Sequence, residues 1–157
     1  MKSTVYIETS VVSYYTGRPS RDLVIAARQQ QTNDWWANRL PGFDVFVSNL
    51  VLEEVSTGDP NAVGKRLLSI EDIPLLDLTE DVFSLSEVLL KHHAIPKEYP
   101  EDALHIAVSA VHGIDYLLTW NFTHINNAET KSKIEKSVWD YGYECSVICT
   151  PEELMGG

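Results

Sequence analysis

Basic residues are scarce in this chain: 12 Lys and Arg stand against 23 Asp and Glu over 157 residues, a formal charge of −11. Non-specific coating of nucleic acid rests on Lys and Arg neutralising phosphates, so that class of protein is excluded, and any grip on phosphate has to be local or shielded by a basic partner. Cysteine is nearly absent. Cys145 and Cys149 are too few for a disulfide scaffold or a thiolate metal cluster, and read as small apolar residues around a strand. No apolar run approaches the roughly 18 residues of a membrane span, and no charged opening followed by an apolar stretch resembles an export signal. No membrane association and a cytoplasmic location are therefore expected. A G-x-G-x-x-G or Walker-type loop is also missing, which leaves nucleotide-cofactor chemistry without support. Internal repeats, low-complexity tracts and linkers are absent, and one domain spanning 1–157 is expected.

What the chain does have is material for a core. Hydrophobic residues make up 44% and aromatics 10%, enough for a domain of this length to bury roughly two-thirds of its unfolded surface without staples. Residues 4–7 (TVYI) are β-rich and run into Glu8, followed by a helix-like SVVSYYT. Gly17, Pro19 and Ser20 break the chain before a helix over 21–40, closed by Pro41 and Gly42. FDVFVS at 43–48 reads as a second strand, 49–56 as a helix, GDP at 58–60 as a turn and 61–70 as another helix. IPLLDL at 73–78 is expected as a third strand, and Thr79 as the cap of a helix over 80–92. Pro100 suits the first turn of a helix running to about His112 and ended by Gly113. DYLLT at 115–119 is apolar on both faces, as a central parallel strand should be. A helix near 127–141 and a strand around 145–149 complete the order. Strands alternating with helices predict a three-layer α/β/α fold on a mainly parallel sheet, with ligands beyond the carboxyl ends of its strands.

That edge is where the acids fall. Glu8 ends the first strand, Glu53 and Glu54 are expected to open the helix after the second, Asp102 lies in the first turn of the helix before the fourth, and Asn121 follows the fourth strand. Singly, each has an ordinary reading: a solvated strand-end acid, first-turn acids complementing a helix dipole, an amide capping a turn. Together, the three carboxylates in such a cluster repel one another unless a cation joins them. Hard cations such as Mg²⁺ and Mn²⁺ take oxygen ligands, commonly one or two carboxylates with water and substrate phosphate. Two ions roughly 3.5–4 Å apart can clamp the attacking and leaving oxygens of a phosphodiester. An acidic chain is thus compatible with a nuclease, since bound ions reverse the local field.

The segment EDALHIAVSAVHGIDYLLTWN (101–121) resembles the C-terminal motif of PIN domains, in which an Asp opens a small-residue-rich helix, a Gly ends it and an apolar strand leads to T-x-N. YIETS (6–10) resembles the first PIN motif, with a hydroxyl residue two positions after the acid. SNLVLEE (48–54) resembles the second, whose acid lies six residues after the Ser and so selects Glu54 over Glu53. The three occur in order along nearly the whole chain. The resemblance implies a metal-dependent endoribonuclease like the VapC-like toxins of toxin–antitoxin pairs. Glu8, Glu54 and Asp102 would then be metal ligands and Asn121 an ordering residue, with RNA as substrate, a small antitoxin as partner, and a homodimer. Two positions depart from the pattern. Glu8 stands where the family usually has Asp, one methylene longer, which moves the carboxylate by roughly 1.5 Å. His124 stands three residues after Asn121, where an Asp is frequent, and could bind a softer metal such as Mn²⁺ or contact phosphate when protonated. A non-catalytic PIN-like binding module is the alternative these departures leave open. A phosphatase on a related sheet lacks the D-x-D pattern after the first strand.

Further candidates surround this set. His105 lies one turn after Asp102 and can point at the site or pack inside. Ser10 and Thr119 are placed to hold ligands or phosphate by hydrogen bonds rather than to act as nucleophiles. Arg18 and Arg21 are the local candidates for gripping an RNA backbone. His92 and His93 suit a helix C-terminus, and Lys131, Lys133 and Lys136 a solvated face. Tyr14, Tyr15, Trp35 and Trp36 are read as packing or dimer contacts, with base stacking as the other use.

Overall fold

Local chemistry sets where each element starts. In a computed structural model describing residues 1–156, β1 spans Thr4–Ile7, and Glu8 immediately caps α1 (Thr9–Thr16) by accepting from the Ser10 N–H. Asp22 caps α2 (Leu23–Asn38) through the N–H groups of Val24 and Ile25. The helix therefore begins after Arg21 rather than at it. A short 3₁₀ turn at 40–42 leads to β2 (Asp44–Ser48), and α3 (Asn49–Val55) follows with no intervening loop. Asp59 caps α4 (Pro60–Ile70), which has Pro at its first position. Thr79 caps α5 (Glu80–Lys91), as expected. Pro100 opens α6 (Pro100–Val111), and Gly113 ends it at φ +67°, a left-handed conformation that glycine adopts at little cost. Then come β4 (Tyr116–Leu118), α7 (Lys131–Asp140) and β5 (Val147–Cys149).

The five strands form one all-parallel sheet in the order β3-β2-β1-β4-β5, where β3 is Leu75–Leu76. Helices α1 to α4 pack among themselves, as α5 packs with α6 and α7, giving the expected α/β/α layering. Going from β1 the chain first builds outward through β2 and β3, then returns to the other side of β1 for β4. Strand order thus reverses between β1 and β4, and a crevice opens beyond the carboxyl ends there.

Three expectations about the elements need correction. The strand foreseen at 73–78 shrinks to two residues, because Pro74 has no N–H for the ladder and only its carbonyl accepts, from Val47 N at 3.0 Å. Glu53 and Glu54 do not open their helix: α3 starts directly at the strand end, so both fall near its C-terminus and complement no N-terminal dipole. The helix foreseen from 127 begins at Lys131, since Asn127 is engaged by the Thr123 carbonyl and the Glu129 N–H.

One core runs through both layers. Tyr6, Ile7, Trp35, Leu85, Leu89, Ile106, Leu117 and Leu118 are fully enclosed in it. Trp36 stacks on Tyr15 at 4.0 Å between ring centroids, Tyr14 packs on Trp120, and Trp35 on Phe43, which places these aromatics in packing. No helix among the described residues is long and apolar enough to cross a membrane. Leu117→Ala, in the middle of β4, is expected to cost about 2–5 kcal/mol. Val147→Thr on the exposed side of edge strand β5 should stay within roughly 0.5 kcal/mol. Urea unfolding of both variants checks the sheet order.

Candidate functional site

Parallel pairing decides which side chains meet. Ile7 lies opposite Leu118 and Tyr6 opposite Phe46, so the residues just beyond, Glu8, Thr119 and Ser48, share one edge of the sheet. Adjacent strands are about 4.8 Å apart.

Glu8 is buried, 5% exposed. Its carboxylate accepts from the Ser10 N–H at 3.1 Å, the Ser10 hydroxyl at 2.5 Å and the Thr119 hydroxyl at 2.5 Å. Both hydroxyl oxygens in turn accept from the backbone beyond β4: Ser10 Oγ from Trp120 N (2.8 Å) and Thr119 Oγ1 from Asn121 N (2.9 Å). Ser10 and Thr119 therefore clamp Glu8 to the turn that carries Asn121. Each has its single proton committed to the carboxylate, which agrees with the holding role and not with a nucleophile's.

Asn121 bridges to the next acid. Its amide donates to Asp102 Oδ1 (3.2 Å), while its carbonyl oxygen accepts from the His124 N–H (3.0 Å). Asn121 thus both caps the turn and orders the acid. His124 Nδ1 donates to Asp102 Oδ2 at 2.8 Å, and Tyr99 packs on the imidazole with centroids 4.0 Å apart.

The second acid arrives from α3. Glu53 is exposed, whereas Glu54 turns inward. Glu54 Oε1 accepts from the Thr9 hydroxyl and from His105 Nε2, both at 2.6 Å. Among the described residues no donor reaches its other oxygen. His105, three residues after Asp102 and hence on the same helical face, is fully buried. Its Nδ1 lies 2.8 Å from the Tyr6 hydroxyl, itself 2.8 Å from Ser48 Oγ. Burial alone would lower the pKa of His105; its hydrogen bond to Glu54 and the charges of Glu8, Glu54 and Asp102 outweigh that and lift it above 6.5. Burial also pushes the Glu54 carboxyl up, but the His105 hydrogen bond and charge, with Thr9, bring it below 4.5. Burial drives the Tyr6 phenol far above its ordinary value.

Of the three acids, Glu54 alone bonds this enclosed imidazole, and Glu8 and Asp102 add their charges to its surroundings. The structure brings together Glu8, Glu54, Asp102, Asn121, Ser10, Thr119, His105 and His124 in adjoining hydrogen-bonded groups. Arg18 and Arg21 are exposed on the segment before α2, and neither bonds to this group. Thr9, Tyr6 and Ser48 escaped the sequence reading. Thr9 directly follows Glu8, Tyr6 opens the 6–10 motif and Ser48 the 48–54 motif, so position could have flagged all three.

The only side chains ion-paired with these acids, among the described residues, are His105 and His124; no Lys or Arg reaches them. As they stand, no three Asp, Glu, His or Cys side chains are close enough to form a ready coordination shell. Magnesium does not require one, since it commonly keeps its waters and takes one or two carboxylates. The all-oxygen acids, with Glu54 Oε2 free of donors, fit a hard cation in kind. A cleft of about 270 Å³ lies at the opposite, amino-terminal edge, near Ser3, Asp115 and Glu144. Ligands of parallel sheets bind at the carboxyl edge, so that cleft is not the candidate. A scan against protein-family models and a search of curated proteins both return no match.

The pair of His105 and Glu54 has a signature in pH. A raised histidine pKa contributes stability that is complete below about 6.5 and lost as pH rises through the folded value. A lowered glutamate pKa contributes stability that is complete above about 4.5 and lost as pH falls through the folded value. In metal-free buffer, His105→Gln is expected to cost about 3 kcal/mol near pH 5.5, and progressively less toward pH 9. Denaturant unfolding across that range measures it; a cost independent of pH would remove the charged pair.

Proposed function

We propose that this chain is a metal-dependent endoribonuclease of the PIN type, with Glu8, Glu54 and Asp102 as the groups that would hold Mg²⁺ or Mn²⁺. The observation that carries the reading is that Glu8 after β1, Glu54 of α3 and Asp102 of α6 are held by hydrogen bonds in adjoining groups at the carboxyl edge, with no Lys or Arg among their partners. When bound, a divalent cation supplies an activated water and charge stabilisation at phosphorus. The chain's residues do the positioning. Ser10 and Thr119 hold Glu8, Thr9 and His105 hold Glu54, and Asn121 and His124 hold Asp102, so each acid is oriented before substrate arrives. Preorganised outer partners of this kind are commonly worth 10–100-fold in metal affinity or activity. The products expected are 5′-phosphate and 3′-hydroxyl ends. A toxin role brings with it a cytoplasmic setting, a small antitoxin that covers the site and, by analogy alone, a homodimer.

A second reading has its own support. His124 engages one oxygen of Asp102 and Glu8 is longer than the family's usual Asp. Both favour a module that binds RNA or protein without cutting. Incubating the protein with total RNA and Mn²⁺ separates the two. Endoribonuclease activity predicts cleavage that EDTA abolishes and that Asp102→Asn lowers by roughly 100-fold or more, the loss expected when several kcal/mol of charge stabilisation go. Metal binding without cleavage supports the module. Equal cleavage by wild type and variant would assign the activity to another site or a contaminant.

A further inference from the structure

Beyond Trp120, α2 and the turn after β4 border a shallow, open cleft of about 390 Å³ whose lining includes Leu23, Val24, Arg28, Gln31, Trp120, Phe122 and Glu152. It is physically joined to the site. Trp120 and Phe122 flank Asn121 in sequence, and the Trp120 N–H bonds the same Ser10 hydroxyl that holds Glu8. Its surface is unusual for a free face: Leu23 is 86% exposed, Val24 59% and Phe122 42%. Singly exposed apolar residues need no explanation, but a contiguous patch rimmed by polar groups marks a binding site.

The kind of occupant follows from the cations. The Arg28 guanidinium lies 4.9 Å from the Phe122 ring centroid and 5.6 Å from that of Trp120. Arg18, Arg21 and Arg28 together hold three of the chain's five arginines, and none of the three is ion-paired among the described residues. Arg28 lines the cleft together with Glu152, and Arg18 and Arg21 precede α2, whose N-terminus is capped by Asp22. An aromatic ring, a layered guanidinium and aliphatic walls suit the flat face of a nucleobase, while the exposed arginines of the segment before α2 suit its phosphates. Gln31 and Glu152 add hydrogen-bonding groups for a base edge. Glu152 would repel a phosphate, so the base goes in and the backbone stays out.

We infer that this cleft is a stacking subsite for an unpaired nucleobase of the RNA whose backbone crosses the carboxylate site. The inference rests on the nuclease reading for its substrate, but its chemistry is separate. A base inside a duplex has both faces covered by its neighbours, so the subsite selects single-stranded segments. Phe122 supplies the stacking face, Arg28 the stacked cation, and Arg18 and Arg21 the electrostatic approach.

The test is fluorescence anisotropy with a fluorescein-labelled, unstructured oligoribonucleotide and its duplex, in EDTA and again in Ca²⁺, using the full chain. Wild type is expected to bind the single strand more tightly than the duplex. Phe122→Leu should weaken single-strand binding roughly 5- to 150-fold, the range for one base–aromatic stack, and Phe122→Trp should restore it. A thermal melt of each variant separates lost stacking from lost fold, since this exposed ring should barely move Tm. Cleavage is not read, so a failure of the carboxylate chemistry leaves the binding result standing, and equal binding by wild type and Phe122→Leu overturns the subsite while leaving that chemistry intact. Failure of wild type to bind the strand also overturns it, as does sedimentation showing that Phe122→Leu converts a dimer to monomer, which would make the cleft an interface between copies.

Discussion

Like charges gathered at one place on a protein repel one another, and this cost shapes the carboxyl edge of the sheet. Parallel pairing of β1 with β2 and β4 brings Glu8, Thr119 and Ser48 to one level, and α3 and α6 deliver Glu54 and Asp102 beside them. The protein answers the crowding with hydrogen bonds and imidazoles instead of Lys or Arg. Glu8 has the hydroxyls of Ser10 and Thr119, Glu54 has His105 and Thr9, and Asp102 has His124 and Asn121. Such partners orient a carboxylate while leaving much of its charge uncompensated, which is the condition in which a divalent cation adds most.

His105 is the enclosed partner of these acids. It is wholly enclosed, yet its proton is favoured by three acids at once. The direction of the Tyr6–Ser48 chain depends on its state. With neutral imidazole, Tyr6 donates to Nδ1; with imidazolium, Nδ1 donates to Tyr6, whose proton turns to Ser48. Either way both ring nitrogens of His105 and the Tyr6 hydroxyl keep a partner, which ties the buried group together. Glu54 is thereby held by the core and not by the surface helix that carries it.

The architecture was legible in the sequence because its signals were local. Alternating strands and helices, Thr79 and Pro100 at helix starts, and Gly113 at a helix end each act within a few residues, and the resulting layers follow from connection rules. That Glu8 and Asn121 lie beyond one edge of the sheet was legible too, since a parallel sheet brings strand ends together. Partnerships were not. Which hydroxyl faces Glu8, and that Glu54 is reached by Thr9 across 45 residues, depend on the packing of α1 against α3. The same packing makes Glu54 an inward residue of a helix end, where a dipole argument placed it at a helix start. His105 stayed ambiguous because one turn's spacing from Asp102 fits a core residue as well as a site residue, and the structure makes it both.

Binding of Mn²⁺ to the acids tests this account most directly. Titration followed by the electron paramagnetic resonance of free Mn²⁺, on wild type and on Glu8→Gln, Glu54→Gln and Asp102→Asn, reads occupancy without needing the right RNA. At least one bound ion is expected in wild type, weakened about tenfold or more by each substitution, since even outer-sphere partners are worth that much. Wild type that binds no ion, or binding that none of the three substitutions alters, would contradict it.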